Sequence, residues 1–551
     1  MIIGMDMGGT HSDGVLIYKN KIIRREKILS DSENPEKTIV LLLKKIIENI
    51  NFLEIKRIVI STTLITNILS KNQEEKTGLL LIPGLGLSLE NFKNTTPFTF
   101  ILKKGYIDHR GVEVSSLNQD ELSEAAVFFQ NENIKKIAVV SKFSTRNPDL
   151  EKKAGDFLEK KRFQIYYAHR YSGKLNFLRR AMTAGLTASV ETQYRNMALA
   201  LKKSIEEMGI KAPLYILKAD GGAVLLEDSL SYPLESVLSG PAGSILGTLF
   251  FKNIFQDVKE AVVLDIGGTT TDLGFFIHGE PILEPEGISI KKSRTLIRAL
   301  KVYPLAIGGD TLFEINPENE VKLDNRRKGV SYCFGGSLPT LTDALIYREK
   351  KDLKAKEGLK IKLNEEKLDE QVNKIVLKAC DFIYQKISDK INEINEKPIY
   401  TINEFFERKN FLPEKIILIG GGAPYFKKAL EERFGIPAVI PEESAICNAL
   451  GAALARVTAE VNLYANTSDG RLSISELQFF EKIDRHFSKK EAEEKALEKL
   501  KELAEKKGVL KDSCEMEITE SSVFNMVRGF STTGKNIRIK AQIKPGLIKD
   551  F

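Results

Sequence analysis

The chain has 551 residues, 42% hydrophobic and 28% charged, an ordinary globular composition with room for two or three cores. Its 82 basic residues barely outnumber 75 acidic ones, for a net charge of +7, and no arginine-rich arm concentrates them, so nucleic acid is not an expected partner. No uncharged apolar run reaches the roughly 18 residues that span a bilayer, and the first residues carry no basic leader, so a cytoplasmic protein without membrane contact is expected.

In chain order, Ile2 to Asp6 reads as a strand ending in Gly8-Gly9-Thr10. Val15 to Tyr18 is a second strand, Lys19-Asn20 a tight turn, and Ile22 to Glu26 a third strand. Apolar residues at helical spacing (Ile39, Leu42, Leu43, Ile46) predict a helix over 35–49, and Arg57 to Ser61 is a β-branched strand. Much later the opening returns. Ala261 to Asp265 ends in Gly267-Gly268-Thr269, Leu273 to Ile277 follows, and His278-Gly279 makes the turn into a strand starting at Pro281 to Leu283. An internal repeat of this specificity implies two similar halves facing one another.

Between and after these motifs lie two stretches rich in small residues, Ser239 to Gly247 and Ser444 to Ala453. Small residues one turn apart let two helices cross closely, which is where a hinge between lobes would sit. Ile416 to Ile419 is a third apolar strand running into Gly420-Gly421-Gly422, with a helix expected from about Tyr425 to Gly435. From about Val457 the character changes: strands at Val461 to Tyr464, Leu472 to Phe479, Glu515 to Thr519 and Ile537 to Ile543 and a helix at Lys489 to Lys507 suggest a separate small α+β unit. Gly529 to Asn536 imitates a phosphate-binding P-loop but lacks the final hydroxyl residue, and an alternating strand follows where a helix is needed.

The chemistry concentrates in the doubled Asp-x-Gly-Gly-Thr loops. Glycines without Cβ atoms let backbone amides approach an anion, so Gly8, Gly9, Gly267 and Gly268 are expected to cradle phosphate. Hydroxyls of Thr10, Thr269 and Thr270 and the ring of His11 add donors. Asp6 and Asp265 would repel phosphate directly but suit a hydrated magnesium ion that the phosphates share. Asp13 and Asp272 are candidates for orienting a nucleophile, unless they only bond their own turns. Gly420, Gly421 and Gly422 offer bare backbone against which a nucleoside lies flat. The cysteines Cys333, Cys380, Cys447 and Cys514 are too scattered for a zinc or iron–sulfur site.

In this order these segments resemble the actin, sugar-kinase and heat-shock-chaperone ATPase superfamily, and within it the large, ATP-binding subunits of the hydantoinase/oxoprolinase family. The resemblance covers about residues 1–455. It rests on Asp6 to Asp13, Thr62-Thr63-x-x-Thr66-Asn67, Gly105 to Gly111, Asp220-Gly221-Gly222, Ser239 to Gly243, Asp265 to Asp272, Ile307 to Asp310, Thr340 to Asp343 and Gly420 to Gly422. Asp220 stands where asparagine is common in the family. The resemblance implies an α/β fold of two duplicated actin-like, ribonuclease H-like ATPase halves, 1–180 and 181–456, with a small α+β unit at 457–551. It implies ATP and magnesium as cofactors and phosphorylation of a carbonyl oxygen in a cyclic amide, imide or ketone before ring opening. A second hydantoinase-type subunit is an expected partner. A small-molecule kinase and an ATP-driven chaperone or reactivating factor remain the alternatives.

Overall fold

Two strands of almost unbroken apolar character, Ile2–Met7 and Ala261–Ile266, lie inside two six-stranded sheets and are buried on both faces over nearly their whole length. The structure is a computed structural model. It describes every residue except 10, 32–33, 88, 90–91, 93–95, 97, 256–257, 285, 397–409, 508–514, 529 and 549–551, so Thr10, Cys514 and Gly529 lie outside the described residues.

The first sheet runs Ala223–Leu225, Leu214–Leu217, Arg57–Thr62, Ile2–Met7, His11–Tyr18, Lys21–Leu29. The second runs Glu280–Pro281, Thr271–Ile277, Ala261–Ile266, Lys415–Ile419, Ala438–Val439, with Tyr303–Leu305 also on Thr271–Ile277. Each begins with the same hairpin in the same register: Asp6 stands opposite Asp13, and Asp265 opposite Asp272. Each central strand has a parallel neighbour on its other side, Arg57–Thr62 or Lys415–Ile419. The tight turns are where expected, with Lys19 and Asn20 at φ 46° and 60° and His278 and Gly279 at 54° and 77°, the positive values that two-residue hairpin turns use. The molecule is thus α/β with duplicated actin-like halves.

Helices Ser239–Thr248 and Cys447–Leu454 cross between the sheets and share one apolar cluster with both: Val59 and Leu217 from the first, Val263 and Ile417 from the second, Ala242, Ile245 and Ala452 from the helices. Their backbones touch. A Cβ on Gly451 would stand 1.9 Å from the Gly243 carbonyl oxygen, and one on Gly247 would stand 2.0 Å from that of Cys447.

A parallel four-stranded sheet, in the order Gln164–Tyr167, Lys136–Ser141, Thr77–Ile82, Thr99–Ile101, is inserted in the first half. Helix Phe177–Glu207 joins it to the main sheet: Ala181, Ala184 and Ala188 pack on the insert, and Tyr194, Ala198, Leu201 and Ile205 on the main core. The expected division at 180/181 falls inside this helix, and the strands at 214–217 and 223–225 complete the first sheet. The first half therefore continues beyond 180, because its last two strands return only after the long helix.

The C-terminal sheet runs Phe479–Lys482, Arg471–Ile474, Glu460–Asn466, Ser531–Ile543, Met516–Arg528. Helix Lys489–Lys506 covers it with Ala492, Ala496, Leu500 and Ala504, one residue per turn. The single strand expected over 472–479 is two, broken by a short 3-10 turn at Ser475–Leu477 whose Ser475 hydroxyl is drawn to the buried Thr145 carbonyl at 2.6 Å. The stretch that imitates a P-loop leads into the Ser531–Ile543 strand, as its alternation requires.

Candidate functional site

Parallel strands that end together leave their final side chains at a common edge, and the two central strands bring Asp6 and Asp265 to such edges on either side of the helix crossing. Asp6 is 4% exposed, and its Oδ2 accepts from Asn448 Nδ2 at 3.2 Å. The Asn448 carbonyl oxygen meets the Ser244 hydroxyl, which also donates to Asp265 Oδ2 at 2.5 Å. Ser244 and Asn448 come from the two crossing helices, so the crossing itself wires one aspartate to the other. The serine has one proton for two acceptors, so it can donate to only one of them at a time. Asp6 Oδ1 is buried with no hydrogen-bond partner among the described residues.

The other two carboxylates join the same field. Burial above all pushes Asp6 up to about 6; the nearby Ser61 hydroxyl and the Asn448 bond offset it in part, and Asp13 and Asp265 add repulsion. Burial also raises Asp265, with Asp13 adding repulsion. Asp272 is pushed up to about 7 by burial and by Asp265. Asp13 is raised by burial although Lys27 Nζ lies 2.7 Å from its Oδ1. Among the described residues no three or more His, Cys, Asp or Glu side chains are clustered to enclose a metal. An orphaned carboxylate oxygen amid mutually repelling acids nevertheless fits a hydrated magnesium ion, which takes one or two carboxylates and completes its shell with water and phosphate.

The second glycine loop is braced from beneath. Gly267 N donates to Thr270 O at 2.9 Å, which closes the turn. Gly309 N and Asp310 N donate to the carbonyls of Gly267 and Gly268 at 3.0 and 2.6 Å. The carbonyls of Gly267, Gly268 and Thr270 are thereby committed, while the amides of Gly268 and Thr269 donate to nothing among the described residues. Gly268 and Thr270 are exposed and Gly267 and Thr269 half-buried; in the first loop Gly8 is half-buried and Gly9 and His11 are exposed. The His11 ring has no hydrogen-bond partner among the described residues.

The third glycine run lies on the end of the second central strand. Gly420 has φ +85°, and a Cβ there would come within 2.4 Å of Asp265 Oδ1. Gly422 N donates to Ile266 O at 2.9 Å, and Gly421 faces open space. The helix behind it, Ala423–Phe434, starts two residues earlier than expected and stops at Gly435 in the left-handed conformation.

Other motif residues turn out to be structural ties. Thr63 Oγ1 donates to Met7 O at 3.1 Å, and Ser239 Oγ bridges the Thr62 amide and carbonyl at 3.1 and 3.0 Å, locking a helix start to the first loop. Asp108 is spent on its own turn, accepting from the amides of Arg110 and Val112 at 2.9 Å each. Asp343 caps its helix, and Thr342 Oγ1 reaches Gly309 O at 2.9 Å. Asp220 accepts from Arg298 Nε at 3.0 Å and Gly222 N at 2.8 Å. Burial would raise it, but Lys218 and Arg298 hold it well below the usual carboxylate range. An asparagine there would remove one of the two carboxylates that pair with Arg298, leaving Glu460 at 3.2 Å as the other. Cys333 is half-buried, and Cys380 and Cys447 are buried free thiols.

Ser244 and Asn448 lie inside the two small-residue stretches without being singled out as site residues, and Lys27 lies outside every motif. The only sign of the first two is a polar residue inside each small-residue stripe, where packing alone would favour Ala or Gly.

Residues 180–461 match the Hydantoinase/oxoprolinase family and residues 2–162 its N-terminal region. Similar proteins include an uncharacterised protein of Methanocaldococcus jannaschii, 22% identical over 497 residues that make up 82% of this chain and 72% of that one. The acetophenone carboxylase gamma subunit of Aromatoleum aromaticum is 21% identical over 365 residues, 63% of this chain, which spans about half (49%) of that subunit. Among solved structures, the ATP-dependent caprolactamase of Pseudomonas jessenii shares the fold with a TM-score of 0.71 at 15% identity, covering 98% of this chain and 87% of that one. Matched over more than half its length, and with its two halves built as the motifs require, this chain belongs to the hydantoinase/oxoprolinase family.

Proposed function

We propose that this chain is the ATP-binding subunit of an enzyme that phosphorylates a carbonyl oxygen in a cyclic amide or related small molecule before its ring opens. The single observation that carries the reading is the pair of loop aspartates, Asp6 and Asp265, wired through Asn448 and Ser244 with the Asp6 Oδ1 left orphaned. ATP would lie across the crossing helices, with phosphates against Gly8, Gly9, Thr10, Gly267, Gly268, Thr269 and Thr270 and the nucleoside along Gly420, Gly421 and Gly422. Asp6 and Asp265 would hold magnesium, which when bound neutralises charge on the phosphates.

The free amides of Gly268 and Thr269 point the phosphoryl group by hydrogen bonding, and an amide needs no reorganisation to do so. The substrate's carbonyl oxygen attacks the terminal phosphorus and ADP departs with the electron pair of the broken P–O bond. The carbonyl carbon now bears a phosphate, so water adds to it; the ring nitrogen takes the bonding pair and a proton and leaves, which opens the ring to an acyl phosphate, and a second water displaces phosphate by carbon–oxygen cleavage, so the former carbonyl oxygen departs in inorganic phosphate. Asp272, as a carboxylate, accepts from the attacking water and so orients it, and Asp13, held by Lys27, fixes the first loop.

Heavy-isotope labelling of the substrate carbonyl oxygen tests this. Transfer of the label to inorganic phosphate is expected, and label retained wholly in the organic product would contradict carbonyl phosphorylation and favour a kinase acting on a hydroxyl. Relatives named as subunits, such as the acetophenone carboxylase gamma subunit, support a second, hydantoinase-type subunit as partner.

A further inference from the structure

The C-terminal sheet carries its helix on one face only. Side chains alternate along a strand, so the residues next to the core positions Leu463, Leu472 and Ile537 point the other way, toward the inserted sheet. The register lays them out in two rows. Ser473 stands opposite Tyr464, which stands opposite Arg538; Lys482 stands opposite Arg471, which stands opposite Asn466. The inserted region closes over this face through the Ser475–Thr145 bond and through Gly173 N, which donates to Glu476 Oε1 at 3.0 Å. Two cavities of about 400 Å³ each remain between them and share Arg146, Tyr464 and Ser473. No residue of the three glycine runs lines either one.

This groove collects positive charge that little neutralises. Arg471 and Lys482 face each other directly across two antiparallel strands, where like charges repel. The half-buried Arg146 guanidinium stacks 4.2 Å from the Tyr464 ring centroid. Burial holds it below the ordinary guanidinium range, and Arg538 adds repulsion. Arg146, Lys152, Arg471, Lys482 and Arg538 form no salt bridge among the described residues. Of the lining acids, Asp149 and Glu520 are similarly unspent, whereas Glu286 pairs with Arg179 and Glu481 with Lys495. Neutral donors converge as well. The Ser473 hydroxyl has no partner among the described residues. Helix Asp149–Glu159 opens on the groove, and its first-turn amides at Leu150 and Glu151 donate to nothing among the described residues. The Gly105 to Gly111 motif, which the nucleotide reading leaves unused, also serves this place: Asp108 Oδ2 accepts from Arg110 Nε at 2.9 Å and sets that guanidinium on the wall.

We propose that this groove binds a small anion carrying two or more phosphate groups, which bridges the C-terminal unit and the inserted sheet. Arg471 and Arg538 lie on strands two spacings apart, roughly 10 Å, and Arg146 stands between the two cavities. One carboxylate leaves most of this charge unmatched. Linked phosphates supply several negative charges and suit arginine forks, lysine ammonium groups and helix amides alike. The site is separate from the nucleotide loops and depends on no reaction there.

Inorganic tripolyphosphate and orthophosphate are the probes, titrated by calorimetry into the full chain with a chelator present, so that no magnesium supports binding at the loop aspartates. Tripolyphosphate should bind at least about tenfold tighter than orthophosphate, since it engages more of the charge-assisted donors. Arg471→Gln, Lys482→Gln and Arg538→Gln remove exposed charges and should each weaken tripolyphosphate by about threefold or more. Magnesium–ATP should bind all three variants as it binds the parent chain. Without anion, Arg471→Gln and Lys482→Gln should not lower the melting temperature, because the two cations repel each other. Absent tripolyphosphate binding, equal affinity for the two phosphates, or an affinity indifferent to all three substitutions overturns the site; in the last case the anion sits elsewhere, as on the glycine loops. A melting temperature lowered by either of those two substitutions overturns it too, because the cations then hold the sheet rather than a ligand.

Discussion

The two halves carry the same hairpin in the same register, yet the third strand differs at the position that matters. Opposite Asp13 on its neighbouring strand stands Lys27; opposite Asp272 stands Pro304. Asp13 therefore has an ammonium at 2.7 Å, while Asp272 has only the like charge of Asp265 nearby and is pushed up to about 7. The first loop is otherwise tied by threonine and serine bonds, whereas the second is layered between Gly309-Asp310 and the Gly420–Gly422 run. Duplication places the carboxylates, and what each half packs around them decides whether they serve as a fixed charge or as a group that exchanges a proton near neutrality.

The largest expected effect breaks the second half's special role. Asp272→Asn should lower single-turnover ATP hydrolysis by about a hundred- to ten-thousandfold, the range for a positioned acid–base group, and leave ATP affinity intact. Lost affinity with normal turnover of bound ATP would make Asp272 a turn residue.

Next come the loop aspartates, expected to behave alike. Asp6→Asn and Asp265→Asn should each weaken magnesium-dependent ATP binding by about ten- to a hundredfold. The nucleotide-free protein should respond in the opposite sense. Below the ordinary carboxylate range Asp6 is protonated whether folded or not; as pH rises through about 6 the folded chain must carry a buried charge, and stability is lost. Asp6→Asn should thus raise the free energy of unfolding, read by denaturant titration, more at pH 8 than at pH 5, and by no more than about 3 kcal/mol for a shift of about two units.

A smaller effect lies at the joint between the halves. Gly451→Ala drives a methyl into the Gly243 carbonyl and should cost about 1–3 kcal/mol of stability by denaturant unfolding, with loss of ATP binding in the folded fraction. The smallest change copies one half onto the other. Pro304→Lys gives Asp272 the partner that Asp13 has, and should move the acidic limb of the pH–turnover profile down by about one unit from its midpoint near 7. An unmoved limb would mean that Asp272 does not set it.

The parts of this arrangement written in contiguous residues were legible. An Asp-x-Gly-Gly-Thr loop needs only its own spacing, so both copies, their hairpins and the third glycine run could be read directly, as could the crossing helices from their small residues. What depends on distant pairing could not. Nothing near Asp272 in the chain names Pro304 as its neighbour, because the third strand there is only Tyr303–Leu305 and arrives after a long excursion. Strands 214–217 and 223–225 rejoin the first sheet after the 31-residue helix, so the half extends past 180. Ser244 and Asn448 acquire their roles only once two helices from far-apart segments cross. Asp220 differs from the family's usual asparagine for a reason visible only with Arg298 beside it.

The account stands or falls on nucleotide binding between the halves. Isothermal titration of ATP with magnesium should give one site per chain, lost or much weakened in both Asp6→Asn and Asp265→Asn, since each half contributes one aspartate to the same site. No binding at millimolar nucleotide, or binding that survives either substitution unchanged, would contradict it.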